Sequence, residues 1–82
     1  SLEPDGESAE FALVVADEWH GRGLGSHLLE MLIDYARQRG VRYLFGDVLL
    51  QNEPMRQLAT RTGFSEQVLE SDKDAIRISR RL

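Results

Sequence analysis

Two periods of apolar residues divide this chain. Residues 9–16, Ala9-Glu10-Phe11-Ala12-Leu13-Val14-Val15-Ala16, form an apolar run broken by a single carboxylate. So short and continuous a run predicts a strand covered on both faces. From Leu24 the period changes. Leu24, Leu28, Met31, Leu32 and Tyr35 recur at helical spacing, and Leu29 and Ile33 widen the stripe. Arg37 and Arg39 suit the negative end of that helix, and Gly40 predicts a left-handed stop. Val41-Arg42-Tyr43-Leu44-Phe45 predicts a second strand. Strand, helix and strand with short joins make a βαβ unit, so the two strands are expected to run parallel.

The pattern shortens beyond Phe45. Asn52 is a good N-cap, and Glu53-Pro54 suits a first helical turn. A short helix is expected from Glu53 to Thr62, stopped by Gly63. Phe64–Leu69 and Ala75–Leu82 read as two strands of an antiparallel hairpin around the polar turn Ser71-Asp72-Lys73-Asp74. Residues 1–8 read as an N-terminal loop, with turn chemistry at Pro4-Asp5-Gly6. The expected fold class is α/β: a mixed sheet with a central βαβ, a short second helix and a C-terminal β-hairpin.

Between the first strand and the first helix lies Trp19-His20-Gly21-Arg22-Gly23-Leu24-Gly25. Glycines at alternate positions suit a backbone that turns sharply and lets a ligand approach closely. A turn of this kind at a helix start converges backbone N–H groups on one point, which favours a phosphate or pyrophosphate. An ordinary glycine-rich turn is the plainer reading. A dinucleotide-binding fingerprint is not met. Its third glycine would fall on Ser26 counting from Gly21, or on Leu28 counting from Gly23. Asp17 to His20 also separate the strand from the first glycine.

Composition narrows the function classes. The chain has 82 residues, enough for one small domain. A net charge of −4 argues against a nucleic-acid-binding face. There are no cysteines, so no thiolate metal site is expected. His20 and His27 straddle the turn and do not make a metal pair, so no metal is expected. No apolar run approaches the ~20 residues that span a membrane, and no signal peptide is visible. A soluble, cytoplasmic setting is the expectation.

The order strand, (Q/R)-x-x-G-x-(G/A), helix, strand, then an Asn-capped helix ending in Gly-Phe resembles the GNAT superfamily of acyl-CoA N-acyltransferases. The loop here is His20-Gly21-Arg22-Gly23-Leu24-Gly25, and the later segment runs from Asn52 to Gly63-Phe64. Ala9–Val15, Gln51–Met55 and Leu58–Phe64 look like the C-terminal acetyltransferase domain of bacterial protein-lysine acetyltransferases, where it often follows an acyl-CoA-synthetase-like module. The resemblance spans residues 9–82 and covers only the second half of that domain. It implies that the strands normally preceding residue 9 are missing and that the chain is a fragment. A first strand without its usual neighbour exposes an edge, so a homodimer or an element swap is expected of the fragment.

The resemblance implies an N-acetyltransferase that moves acetyl from acetyl-CoA to an amine, most simply a protein lysine. Under it, His20, Gly21, Arg22, Gly23, Leu24, Gly25 and Ser26 hold the pyrophosphate. Leu13 and Val15 pair with the pantetheine arm through backbone groups, and Asn52 bonds the same arm. Glu10, the ionisable residue set in the apolar run, becomes the general base. Each has a plainer reading: Arg22 as a solvated cation, Asn52 as an N-cap alone, Glu10 as an exposed residue at a strand start. Two positions depart from the family pattern. His20 stands where Gln or Arg is usual, and Ala59 stands where many members carry a Tyr that protonates the thiolate. The alternative functions are a small-molecule amine acetyltransferase, or an acyl-CoA-binding or assembly module without catalysis.

Overall fold

The structure, a computed structural model, describes residues 6–11 and 24–82, with the side chain of Leu24 excepted. The elements run β1 (Ser8–Glu10), α1 (Leu24–Gln38), β2 (Tyr43–Leu49), α2 (Glu53–Arg61), β3 (Ser65–Val68) and β4 (Ala75–Arg81). The strands form one sheet in the order β1-β2-β4-β3. β1 and β2 are parallel, with Glu10 opposite Phe45. β4 lies antiparallel to both β2 and β3. The expected βαβ unit and hairpin are therefore both present, and the hairpin docks through β4 beside β2.

Strand alternation sorts the sheet into two faces. Leu44, Val48, Ile76 and Ile78 point to the helices and join Leu29, Ile33, Met55, Leu58, Ala59 and Phe64 in the core. Phe11 packs at its margin, with its ring 5.7 Å from that of Phe64. The opposite face carries Glu10, Tyr43, Phe45, Asp47, Arg77 and Ser79.

Two readings need correction, and a third is tested only in part. The stripe of α1 that packs inward is Gly25, Leu29, Leu32, Ile33 and Ala36. Leu29 and Ile33 are fully buried, whereas Met31 and Tyr35 are 55% and 53% exposed and Leu28 is 38% exposed. The apolar arc of α1 is wider than the surface beneath it, and its Leu28–Met31–Tyr35 flank is left uncovered among the described residues. The second strand begins at Tyr43 and continues to Leu49, past Gly46-Asp47. Ladder pairing of Gly46 with Ile78 and Asp47 with Arg77 overrides their poor strand propensity. In the first strand, regular structure spans Ser8–Glu10, and residues 12–16 lie outside the described residues.

The helix ends follow the expected chemistry. Gly40 has φ +81°, and the N–H of Val41 reaches back to the carbonyl of Ala36 at 3.0 Å. Gly63 has φ +88° after α2. There Arg80 donates to the carbonyl of Thr62 at 2.6 Å, placing a cation at the negative end of the helix. The Thr62 hydroxyl, buried, donates to the carbonyl of Leu58. Among the described residues no helix is long and apolar enough to cross a membrane.

Candidate functional site

Both helices begin at the same end of the sheet. A short loop joins the end of α1 at Gln38 to the start of β2 at Tyr43, so α1 runs back against the strands. Its N-terminus therefore lies toward the carboxyl ends of β1 and β2. α2 begins four residues beyond the end of β2, at that end too. Open α/β sheets bind ligands at the carboxyl ends of their parallel strands. A cleft of about 180 Å³ lies here, lined by Phe11, Gly46, Asp47, Val48, Leu49, Asn52 and Met55.

The cleft lies just beyond the end of β1 at Glu10. The N–H of Phe11 donates to the carbonyl of Phe45 at 2.9 Å, the last β1–β2 ladder bond among the described residues. The Phe11 carbonyl then crowds Gly46: a Cβ there would stand 2.8 Å from that oxygen and 3.2 Å from the ring. Ligand-sized pockets run from about 300 to 1,000 Å³, so this cleft suits the end of an extended ligand.

Of the candidate site residues, Asn52 lines this cleft. It caps α2, its Oδ1 accepting the N–H of Met55 at 3.3 Å. Leu24, Gly25 and Ser26 form the first turn of α1. Gly25 is buried and Ser26 half-buried. No acidic residue occupies that turn, so nothing in it opposes an anion at the positive helix end. Leu13, Val15, His20, Gly21, Arg22 and Gly23 lie outside the described residues.

Glu10 is exposed on the sheet face turned away from the helices. Arg77 lies close by on that face. Its guanidinium covers the ring of Phe45 at 4.7 Å and donates to both Asp47 oxygens at 2.8 and 3.3 Å. The Asp47 hydrogen bond raises the Arg77 pKa further above its ordinary value, and the Glu10 charge adds a smaller contribution. Arg77 is thus a fixed cation between two carboxylates. Ala59, where a Tyr was noted as absent, is buried in the core. His27 is exposed on α1. Among the described residues no cluster of His, Cys, Asp or Glu is arranged to hold a metal.

Sequence reasoning missed Gly46. The available signal was an isolated glycine between strand-forming residues, which marks a bulge or a close backbone approach.

The sequence matches the Acetyltransferase (GNAT) family over residues 1–64. It is 42% identical over 55 residues to acetyltransferase Pat of Mycolicibacterium smegmatis, a stretch covering 67% of this chain and 16% of that protein. The fold superimposes on the GNAT domain of S. lividans PAT with a TM-score of 0.85 and 30% identity, covering 100% of this chain and 46% of that one. It is similar to yncA of Salmonella typhimurium, solved with its cofactor acetyl-CoA (TM-score 0.80, 27% identity, 100% of this chain and 52% of that one). The chain therefore spans about half of these solved structures and a smaller part of the curated relative.

Proposed function

The chain belongs to the acetyltransferase (GNAT) family, and on that premise we propose that the complete protein transfers acetyl from acetyl-CoA to an amine. The observation that carries this reading is the cleft at the carboxyl ends of β1 and β2, bordered by Asn52. The residues fit the cofactor in two respects. Gly46 leaves room for the Phe11 carbonyl at the cleft, and the first turn of α1 offers N–H groups without a competing carboxylate.

Acetyl-CoA supplies an activated acyl group, and the chain supplies position and proton transfer. His20 to Ser26 receive the pyrophosphate, Leu13 and Val15 offer backbone groups to the pantetheine arm, and Asn52 bonds that arm. Glu10 takes the proton from the acceptor ammonium, freeing the nitrogen lone pair for attack on the thioester carbon. Attack would form the C–N bond and a tetrahedral adduct, whose collapse would break the C–S bond, and the proton released by the acylated nitrogen would balance the one that sulfur gains. The electron pair leaves on sulfur, which takes a proton to give the free thiol. The acceptor is a protein lysine in this proposal, supported by the likeness of residues 9–15, 51–55 and 58–64 to protein-lysine acetyltransferases. A second copy pairing along the β1 edge would complete the isolated chain, since β1 ends the sheet among the described residues.

The test is a calorimetric titration of acetyl-CoA into the complete protein, followed by turnover of Glu10→Gln. We expect one site per chain, competed by CoA and by its pyrophosphate-containing half, and no turnover by the variant with affinity intact. No binding to the complete protein refutes the cofactor reading, and unchanged turnover removes Glu10 from the mechanism. Acetylation of small amines but not of lysine peptides would reassign the acceptor. A monodisperse monomer of the 82-residue chain in light scattering would refute the pairing.

A further inference from the structure

The sheet face turned away from the helices carries a row of charge. Asp47 on β2 stands opposite Arg77 on β4. Phe45, two residues earlier on β2, stands between Ser79 on β4 and Glu10 on β1. Ser79 is too small to cover the Phe45 ring. Arg77 covers it instead, its guanidinium 4.7 Å from the ring centroid, and the Tyr43 ring flanks it at 6.0 Å. Phe45 is buried, on a face that neither α1 nor α2 covers.

Asp47 fixes where that guanidinium lies. It accepts from Nε at 2.8 Å and from Nη2 at 3.3 Å, so both bonds use one edge of the planar fork. The group cannot turn without breaking one of them. Glu10 acts on the same cation through its charge, after the stronger effect of Asp47. Asp47 also lines the cleft. The row therefore leads from the cleft, across a fixed cation, to the carboxylate proposed as the base.

We infer that Arg77 is a positioning residue for Glu10: clamped by Asp47 and seated on Phe45, its guanidinium holds the Glu10 carboxylate over this face of the sheet, beside the cleft that Phe11 and Asp47 line. This rests on the acetyl-transfer reading above, in which Glu10 is the base. Arg77 touches no reacting atom and acts through Glu10. An exposed glutamate samples several rotamers, and only those that reach the acceptor amine can take its proton. A cation fixed beside the carboxylate narrows that set. A lysine would not serve equally, since its ammonium offers no planar fork to Asp47 and no flat face to Phe45.

The experiment is a set of variants of the complete protein, saturated with acetyl-CoA and given a lysine peptide, or a small amine if the parent accepts only that. Arg77→Gln keeps a group that can bond Asp47 and removes the cation. Arg77 and Asp47 are 36% and 37% exposed, and exposed ion pairs bias their members by up to about fivefold. The kcat is therefore expected to fall on the order of fivefold, with acetyl-CoA affinity unchanged. An unchanged kcat overturns the inference, and so does a loss of acetyl-CoA affinity that matches the loss of kcat, the mark of general loosening. Arg77→Lys keeps the charge and loses the fork, so it is expected not to recover the parent rate. Full recovery would leave the clamp without a role and overturns the inference. Asp47→Asn is expected to slow the reaction only while Arg77 is present, so the double variant should be no slower than Arg77→Gln alone. Losses that add overturn the inference.

Three-bond couplings of the Glu10 side chain test the placement without turnover. Glu10, its signals identified by their loss in Glu10→Gln, is expected to hold one dominant rotamer in the parent and several in Arg77→Gln. Averaged rotamers in the parent overturn the inference. The function proposal fails separately: no turnover by the parent, or unchanged turnover by Glu10→Gln, removes the base itself and takes this inference with it.

Discussion

Asn52 is asked to do two things, and substitution can separate them. Its Oδ1 accepts the N–H of Met55 at 3.3 Å, capping α2, and the same residue borders the cleft. Loss of an N-cap side chain costs about 0.5–2 kcal/mol. The bond lies slightly beyond the usual range for N–H···O, and Asn52 is exposed, so the lower half applies. Asn52→Ala should cost about 0.5–1 kcal/mol, a fall of a few degrees in Tm for a chain of this length. Asn52→Asp keeps the accepting oxygen and adds a negative charge at the positive helix end, offset by Glu53 beside it. Its stability should match the parent. Acetyl-CoA is anionic, and the new carboxylate would bring like charge in place of an amide donor. Affinity should therefore fall from the parent to the alanine variant and further to the aspartate variant. Stability should instead set the parent and the aspartate variant together above the alanine variant. Thermal unfolding of the 82-residue chain and acetyl-CoA titration of the complete protein read the two orders. Equal destabilisation by the two substitutions would refute the cap argument. Affinities that simply follow stability would leave Asn52 a cap and nothing more.

Other perturbations follow from single contacts. Ile78 is fully buried in the core, so Ile78→Ala should cost about 2–5 kcal/mol, seen as a large drop in urea midpoint. Gly40→Ala meets no atom within 4 Å but keeps φ at +81°. It should cost about 1 kcal/mol from backbone strain alone, measured by the same melt, with acetyl-CoA affinity of the folded protein unchanged. The hydrogen bond from Arg56 lowers the pKa of Glu66 from its ordinary 4.5. A depressed carboxylate stabilises the fold above its unfolded value. That contribution is complete above about pH 4.5 and is lost as pH falls through the lowered value. Glu66→Gln should flatten the stability profile in that acid window and leave its shape near neutrality unchanged.

The fold was legible where local chemistry and tertiary packing agree. Asn52, Gly40 and Gly63 act at helix ends through their own side chain or backbone freedom, and each occurs where its residue type predicts. The parallel pair followed from the join lengths around α1. Legibility failed where a neighbour decides. Nothing in Tyr43–Leu49 itself says that Gly46 and Asp47 belong to a strand; Ile78 and Arg77, some thirty residues later, supply the pairing. Nor does an apolar arc on α1 say which flank is covered, because Leu28 and Leu29 are chemically alike and only the sheet distinguishes them. The candidate site divides in the same way. Asn52 and the helix start carry recognisable residue types, whereas the close approach of Phe11 to Gly46 at the cleft is a contact that spacing alone does not reveal.

Stability and ligand access are carried by different parts of this chain. Among the described residues the largest fully buried side chains are Leu29, Ile33, Leu44 and Ile78, on α1 and the two central strands. The cleft instead gathers a glycine, a capping amide and the margin residue Phe11. Beside the cleft, β2 keeps its pairing with β4 along its whole length. A chain arranged this way can have its cleft narrowed by one methyl group while its core remains packed. Binding should therefore fail before folding does at Gly46, and folding before binding at Ile78.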